Sequence, residues 1–188
     1  MVELIEAHGR AMNEFDDRVR RVRADQWELG TPCAGWTVRD LVDHLVREQL
    51  WAPELLAGCT VEQVGDRFDG DRLGADPRHS WVLAASAARE AWIEPDALAK
   101  RVRLSSGEAG ADEYGWQMTL DLTVHTWDLA TAVGADRQVD AGLAEAVLAF
   151  AEREAGAWSG SGLFADPVPV GADADAQTRL VALLGRRP

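Results

Sequence analysis

The stretch TLDLTVHTWDLATAV, residues 119–133, constrains this chain more than any other. At 3.6 residues per turn it places Asp121, His125 and Asp128 at i, i+4 and i+7, in one narrow stripe of a helix. Apolar side chains flank the stripe, with Met118, Leu122 and Leu129 on one side and Leu120, Val124 and Trp127 on the other. Thr119, Thr123, Thr126 and Ala130 are left as the expected solvent face. Two carboxylates and an imidazole inside an apolar surface need partners, because burying an unpaired polar group costs on the order of 2–7 kcal/mol. Either a bound divalent cation or a buried hydrogen-bond network supplies them, and this helix alone does not separate the two.

A chain of 188 residues fits one domain, 1–188, with a sizeable core. The net charge of -13 argues against nucleic acid as a partner, since phosphate binding needs clustered Lys and Arg. No apolar run approaches the roughly 20 residues of a membrane span. The N-terminal MVELIEAHGR is acidic and amphipathic, unlike a signal peptide, so a cytoplasmic location is expected. Two cysteines, Cys33 and Cys59, make no disulfide framework. Cys33 precedes a helix start, where a thiol pKa can fall, but a small residue packed in a turn is the expected role.

Helical spacing of Leu4, Ile5, His8, Ala11, Met12, Phe15, Val19 and Val22 predicts a first amphipathic helix, with His8 as a hydrogen-bonded core histidine. Residues 25–37 read as a loop that ends in Thr37-Val38-Arg39-Asp40, a capping box opening a second helix to about Leu56. Its apolar face carries two polar intruders, His44 and Glu48, again four apart. An acidic loop follows, with one helical turn near 61–64, then a helix from Pro77 to Ile93. Arg101 to Leu104 is a short extended piece and SSGEAGADE a loop. Further helices are expected over 112–133, stopped by Gly134, over 143–158, and over 176–184. The fold class is therefore all-α, with a four-helix bundle as the default architecture and additional short C-terminal helices.

In a bundle, cofactor and metal sites are built from side chains on facing helices. His44 from the second helix and the Asp121/His125 pair from the fourth make a three-ligand set, which leaves coordination positions open. Two imidazoles and a carboxylate suit zinc, nickel, iron(II) or manganese, and ligand type alone does not choose among them. Asp128 is placed to orient an imidazole from behind, or to pair with an arginine of another helix. Glu48 is the candidate catalytic group, a general base beside the ion, with a fourth ligand or a salt bridge as alternatives. Trp36, Trp51 and Trp127 lie near these residues in sequence and are candidates to wall a pocket.

The segments TPCAGWTVRDLVDHL, DLTVHTWDLATAVG and PVPV followed by DAQTRLVALLGRRP resemble a family of actinobacterial metal-binding proteins. That family is related to the N-terminal domain of mycothiol-dependent maleylpyruvate isomerase, within the DinB-like four-helix-bundle superfamily. The resemblance spans nearly the whole chain. It implies a divalent ion, usually zinc, held by His44, Asp121 and His125, with mycothiol as the candidate thiol cofactor. It further implies a thiol-dependent activity, in which the ion lowers the pKa of a small thiol and presents it as a nucleophile. Two departures limit the transfer. Asp121 is one methylene shorter than the Glu usual in the isomerase. Only 30 residues (159–188) follow the fifth helix, too few for the domain that completes the isomerase site. Maleylpyruvate isomerisation itself is therefore not expected, and the substrate stays open.

Three functional classes follow. The first is a metal-dependent thiol S-transferase or related enzyme acting on a small molecule. The second is a non-catalytic protein that holds or senses a small ligand with the same pocket. The third is a bundle whose His and Asp residues are structural. A homodimer is compatible with each.

Overall fold

The computed structural model describes residues 2–105, 107–158 and 164–188. The expected Gly/Ser turn at 159–162 and Leu163 lie outside them. The first helix, α1 (Leu4–Arg21), turns Ala7, Ala11, Phe15 and Val19 inward. The loop after it is closed by the expected capping box, in which Thr37 Oγ1 accepts from Asp40 N–H at 3.2 Å and Asp40 Oδ2 accepts from Thr37 N–H at 2.8 Å. This fixes the start of α2 (Val38–Leu56), and with it the rotation of His44 and Glu48 about the helix axis. One capped turn, α3 (Val61–Val64), and the helix α4 (Pro77–Trp92) follow.

Residues 107–110, expected as loop, instead form strand β2 (Gly107–Gly110), paired antiparallel with β1 (Arg101–Leu104). The sequence GEAG has little strand propensity of its own, and the ladder to Arg101–Leu104 holds it extended. The hairpin leads into α5 (Ala111–Val133), which stops at Gly134 with φ 69°. The chain continues through α6 (Ala141–Trp158) and α7 (Ala176–Leu183), the latter capped by Asp175. Helix α2 packs mainly on α4, and α1 mainly on α5, while α5 also meets α2 and α6. The hairpin is the small exception in an otherwise helical bundle. Among the described residues no helix is long and apolar enough to cross a membrane.

From Met118 to Ala130 helix α5 is buried at every residue but the half-buried Asp121, which corrects the expected solvent face: Thr119, Thr123, Thr126 and Ala130 all lie inside. The hydroxyls escape the cost of burial by bonding back along their own helix. Thr119 Oγ1 donates to the Gly115 carbonyl at 2.7 Å, Thr123 Oγ1 to Thr119 at 2.7 Å, and Thr126 Oγ1 to Leu122 at 2.8 Å. Once its donor is used internally, threonine packs like a β-branched apolar residue. Gly115 lets α1 and α4 pack close on α5, since a Cβ there would lie 2.9 Å from Leu4 and 3.2 Å from Trp92.

His8 is a second correction. It is buried on α1 and packs its ring on Trp92 at 5.4 Å, yet neither ring nitrogen has a hydrogen-bond partner among the described residues. Burial, with the nearby Arg89 charge adding to it, pushes the imidazole from 6.5 down to about 3. The folded state therefore binds fewer protons than the unfolded state between those values. Stability is fully present above pH 6.5 and falls on acidification by about 1.4 kcal/mol per pH unit for this one group. His8→Leu is expected to remove that slope and to gain roughly 1–3 kcal/mol by deleting unpaired polar atoms. Urea midpoints of wild type and variant between pH 7 and 5 test this; parallel lines would show that His8 is not the acid-sensitive group.

Candidate metal centre

Where α2 faces α5, the structure brings His44, Asp121 and His125 together. His44 Nε2 lies 3.0 Å from Asp121 Oδ2, and His125 Nε2 lies 3.2 Å from Asp121 Oδ1. One donor atom from each of the three falls within 4.8 Å of the others. Ligand distances of about 2.0–2.2 Å around a tetrahedral ion separate neighbouring donors by roughly 3.4 Å. Small side-chain movements would thus bring all three donors onto one ion, and the residues present fit such a group.

The electrostatics are those of an anion clasped between two imidazoles. Burial alone would push the Asp121 carboxyl up, but the charges and hydrogen bonds of His44 and His125 outweigh it and hold the group far below the usual carboxylate range. Burial would likewise lower His125, but Asp121, Asp128 and Cys33 hold it well above the ordinary histidine value.

His125 is gripped from both sides. Its Nδ1 lies 3.0 Å from Asp128 Oδ2, and an ionised carboxylate can only accept, so Nδ1–H donates. Nε2 is thereby left to face Asp121 and His44. Asp128 is fully buried and meets Arg186, whose Nη2 donates to Oδ2 at 2.7 Å and whose Nε donates to Oδ1 at 3.2 Å. Burial would raise the Asp128 carboxyl, but hydrogen bonds from His125 and Arg186 pull it below its ordinary value. Asp128 thus contacts an imidazole and an arginine at once, and the arginine comes from the C-terminal tail rather than from another helix. Asp121 and Asp128 do not face each other; the His125 ring stands between them.

Two contacts were not visible from sequence spacing. Arg186 belongs to the basic tail, which turns inward at Gly185 with φ 81°, where a Cβ would strike Ala165 at 2.6 Å. Cys33, expected only as a packed turn residue, places Sγ 3.3 Å from Asp128 Oδ2 and 3.8 Å from His125 Nδ1, while Arg186 Nη2 donates to it at 3.5 Å. Cys33, His125 and Asp128 form a second cluster of cation-ligating atoms. The Arg186 guanidinium already neutralises it, so it reads as the support of the first cluster. A TPC…Arg pairing across 153 residues carries no periodic signal.

Of the three tryptophans considered for the pocket wall, only Trp36 meets the cluster, with ring centroids 5.0 Å from His44 and 5.9 Å from His125. Trp51 packs on Phe68 at 5.6 Å, and Trp127 lies under Arg137 at 5.5 Å. Glu48 is half-buried and lines, with His44 and Asp121, a cleft of about 270 Å³. Burial first, then the Asp121 charge, push its carboxyl up. Met118, Leu120 and Phe164 add apolar lining to the cleft, beside Tyr114 and Gln117.

The fold and cluster define a class: a DinB-like helical bundle with a His/Asp/His cluster between its second long helix and the helix after the hairpin. The chain belongs to the family described as the mycothiol maleylpyruvate isomerase N-terminal domain, whose model matches residues 8–130. An uncharacterised protein of Mycobacterium tuberculosis, found in two strains, is 32% identical over 187 residues, covering 96% of both chains. Crystal structures of mycothiol-dependent maleylpyruvate isomerase share the fold. A mutant form gives a TM-score of 0.65 at 17% identity, covering 86% of this chain and 73% of that one. A second structure of the isomerase gives 0.61 at 17%, covering 82% and 70%.

Proposed function

We propose that this protein is a divalent-metal-dependent thiol enzyme, with zinc as the ion and mycothiol as the thiol, acting on a small-molecule substrate. The observation that carries the reading is the convergence of His44, Asp121 and His125 donor atoms beside a cleft that His44 and Asp121 line. Family membership supports the thiol chemistry. A bound divalent cation would lower the pKa of a coordinated thiol and supply it as a thiolate at neutral pH.

The chain's own residues supply the rest. His44, Asp121 and His125 hold the cation and leave positions open toward the cleft. Asp128 and Arg186 set the ring orientation and tautomer of His125, and Trp36 packs against both imidazoles. Glu48, with its carboxyl pushed up by burial, is placed to accept a proton from an incoming thiol and to return it to the product.

Cobalt-substituted protein tests the reading. Adding a small thiol is expected to produce a sulfur-to-metal charge-transfer band, and Asp121→Asn to weaken it. Glu48→Gln is expected to leave the band intact and lower turnover. Fully metallated protein that gives no band with any small thiol would move the site to another purpose. Chelation should leave the bundle folded but lower its melting temperature. An ion present at 100 times its Kd contributes about 2.7 kcal/mol. At about 2–4 °C per kcal/mol for a chain of this size, the drop is roughly 5–10 °C. Calorimetry before and after chelation checks it, and an unchanged melting temperature counts against a native ion.

A further inference from the structure

Between α1 and α4 lies a groove of about 290 Å³ that shares no lining residue with the cleft beside the metal cluster. Three charged side chains line it, Asp16 and Arg20 of α1 and Arg89 of α4. The first two satisfy each other. Arg20 Nε donates to Asp16 Oδ2 at 2.6 Å and Trp81 Nε1 donates to Asp16 Oδ1 at 3.1 Å, so both carboxylate oxygens are engaged. Arg89 has no carboxylate partner among the described residues. Its Nη1 donates to the Ile5 carbonyl at 2.9 Å, and its guanidinium lies against Gly9, where a Cβ would fall 3.0 Å from Nη2. Burial pushes this guanidinium below its usual value with no carboxylate to offset it, yet an arginine stays charged at any working pH. The groove thus holds a half-buried cation whose donors are only partly used, next to Ser86, Asn13 and the apolar Met12, Val82 and Ala85.

We propose that this groove is a separate small-molecule site, which binds an organic monocarboxylate through Arg89. A planar carboxylate matches a guanidinium fork in geometry as well as charge. One negative charge balances the one cation of the groove that lacks a partner. A phosphate monoester would bring a second charge next to Asp16, with no free cation left to meet it. The volume is at the small end for ligand pockets, and Met12, Val82 and Ala85 give the body of such an acid an apolar surface to cover. Ser86 and Asn13 can bond a further polar group on it. The site is independent of the metal–thiol reading and stands or falls on Arg89.

The test titrates benzoate, benzamide and phenyl phosphate into the full-length protein after chelation, so that no ion competes for the anions. Benzoate is expected to bind roughly tenfold or more tightly than either of the others, the worth of a hydrogen-bonded charge. Arg89→Gln removes the cation. Ser86→Glu keeps it but sets a tethered carboxylate three residues away on the exposed side of α4, where it takes the place of the ligand. Each variant is expected to weaken benzoate by roughly tenfold or more, with the cobalt–thiol band unchanged. Should Arg89→Gln also unfold the protein, Ser86→Glu decides alone. No binding of benzoate by wild type overturns the proposal and leaves Arg89 as a tie between α4 and α1. Benzamide bound as tightly as benzoate overturns it too, and phenyl phosphate bound as tightly overturns the monocarboxylate class. Benzoate affinity unchanged by Ser86→Glu places the acid elsewhere and overturns the site. A missing cobalt–thiol band bears on the metal–thiol reading alone.

Discussion

Protein in which both His44 and His125 are replaced by alanine is expected to retain no divalent metal above background after dialysis. Each histidine contributes one Nε2 to a set of three donors that meet on Asp121, at 3.0 and 3.2 Å. Altering residues that merely orient a ligand costs about 10–100-fold in affinity, and deleting the ligand itself costs at least as much. Two deletions leave Asp121 alone, a single carboxylate that cannot hold a transition-metal ion against water. His79→Ala is the control, since His79 is exposed at the start of α4 and outside the cluster. Elemental analysis of tag-free protein reads the outcome. Metal content equal to wild type in the double variant would exclude this ligand set. The double variant should also be less stable without any metal, because the two imidazoles are what hold the Asp121 carboxyl in its ionised state.

Much of this site could be read from one-dimensional spacing because its parts obey helix periodicity. The Asp121/His125 pair is an i, i+4 repeat on an apolar surface, and His44 lies on the inward face of a helix whose start Thr37 and Asp40 announce. Periodicity fails where side chains satisfy themselves or arrive from irregular chain. Thr119, Thr123 and Thr126 look solvent-facing because they carry hydroxyls, and only their bonds to i-4 carbonyls make burial cheap. Buried polar groups as a rule find partners, and His8 has none among the described residues. Strand β2 is built from residues that disfavour strands, so only its pairing reveals it. Cys33 and Arg186 come from a loop and a tail 153 positions apart, and their meeting at Asp128 is a property of the assembled fold.

That meeting leads to the largest stability effect expected of a single substitution. Arg186→Ala removes the guanidinium that donates to both oxygens of Asp128, at 2.7 and 3.2 Å, and leaves a carboxylate with no solvent exposure. Breaking a buried pair from one side costs roughly 3–5 kcal/mol, because the remaining charge cannot reach water and keeps only the His125 Nδ1–H and the Cys33 thiol as donors. For a chain of this size that lowers the melting temperature by about 6–20 °C. The Asp128 carboxyl lies below its ordinary value in the folded state, so this stabilisation is complete above the unfolded carboxyl pKa of about 3.9 and is lost only as pH falls through the folded value. The effect of Arg186→Ala should therefore be at full size at pH 7. Asp128→Asn should cost less stability, since it removes the buried charge, and adding it to Arg186→Ala should recover part of the loss. Metal affinity separates orientation from packing. Asp128→Asn disturbs the acceptor that fixes Nδ1–H of His125 and should weaken the ion by about 10–100-fold, even in protein that melts close to wild type. Arg186→Lys keeps a charge but not the fork, and should fall between wild type and Arg186→Ala in melting temperature. An Arg186→Ala variant within 1 kcal/mol of wild type would show that His125 alone holds the Asp128 charge, and that the tail does not brace His125.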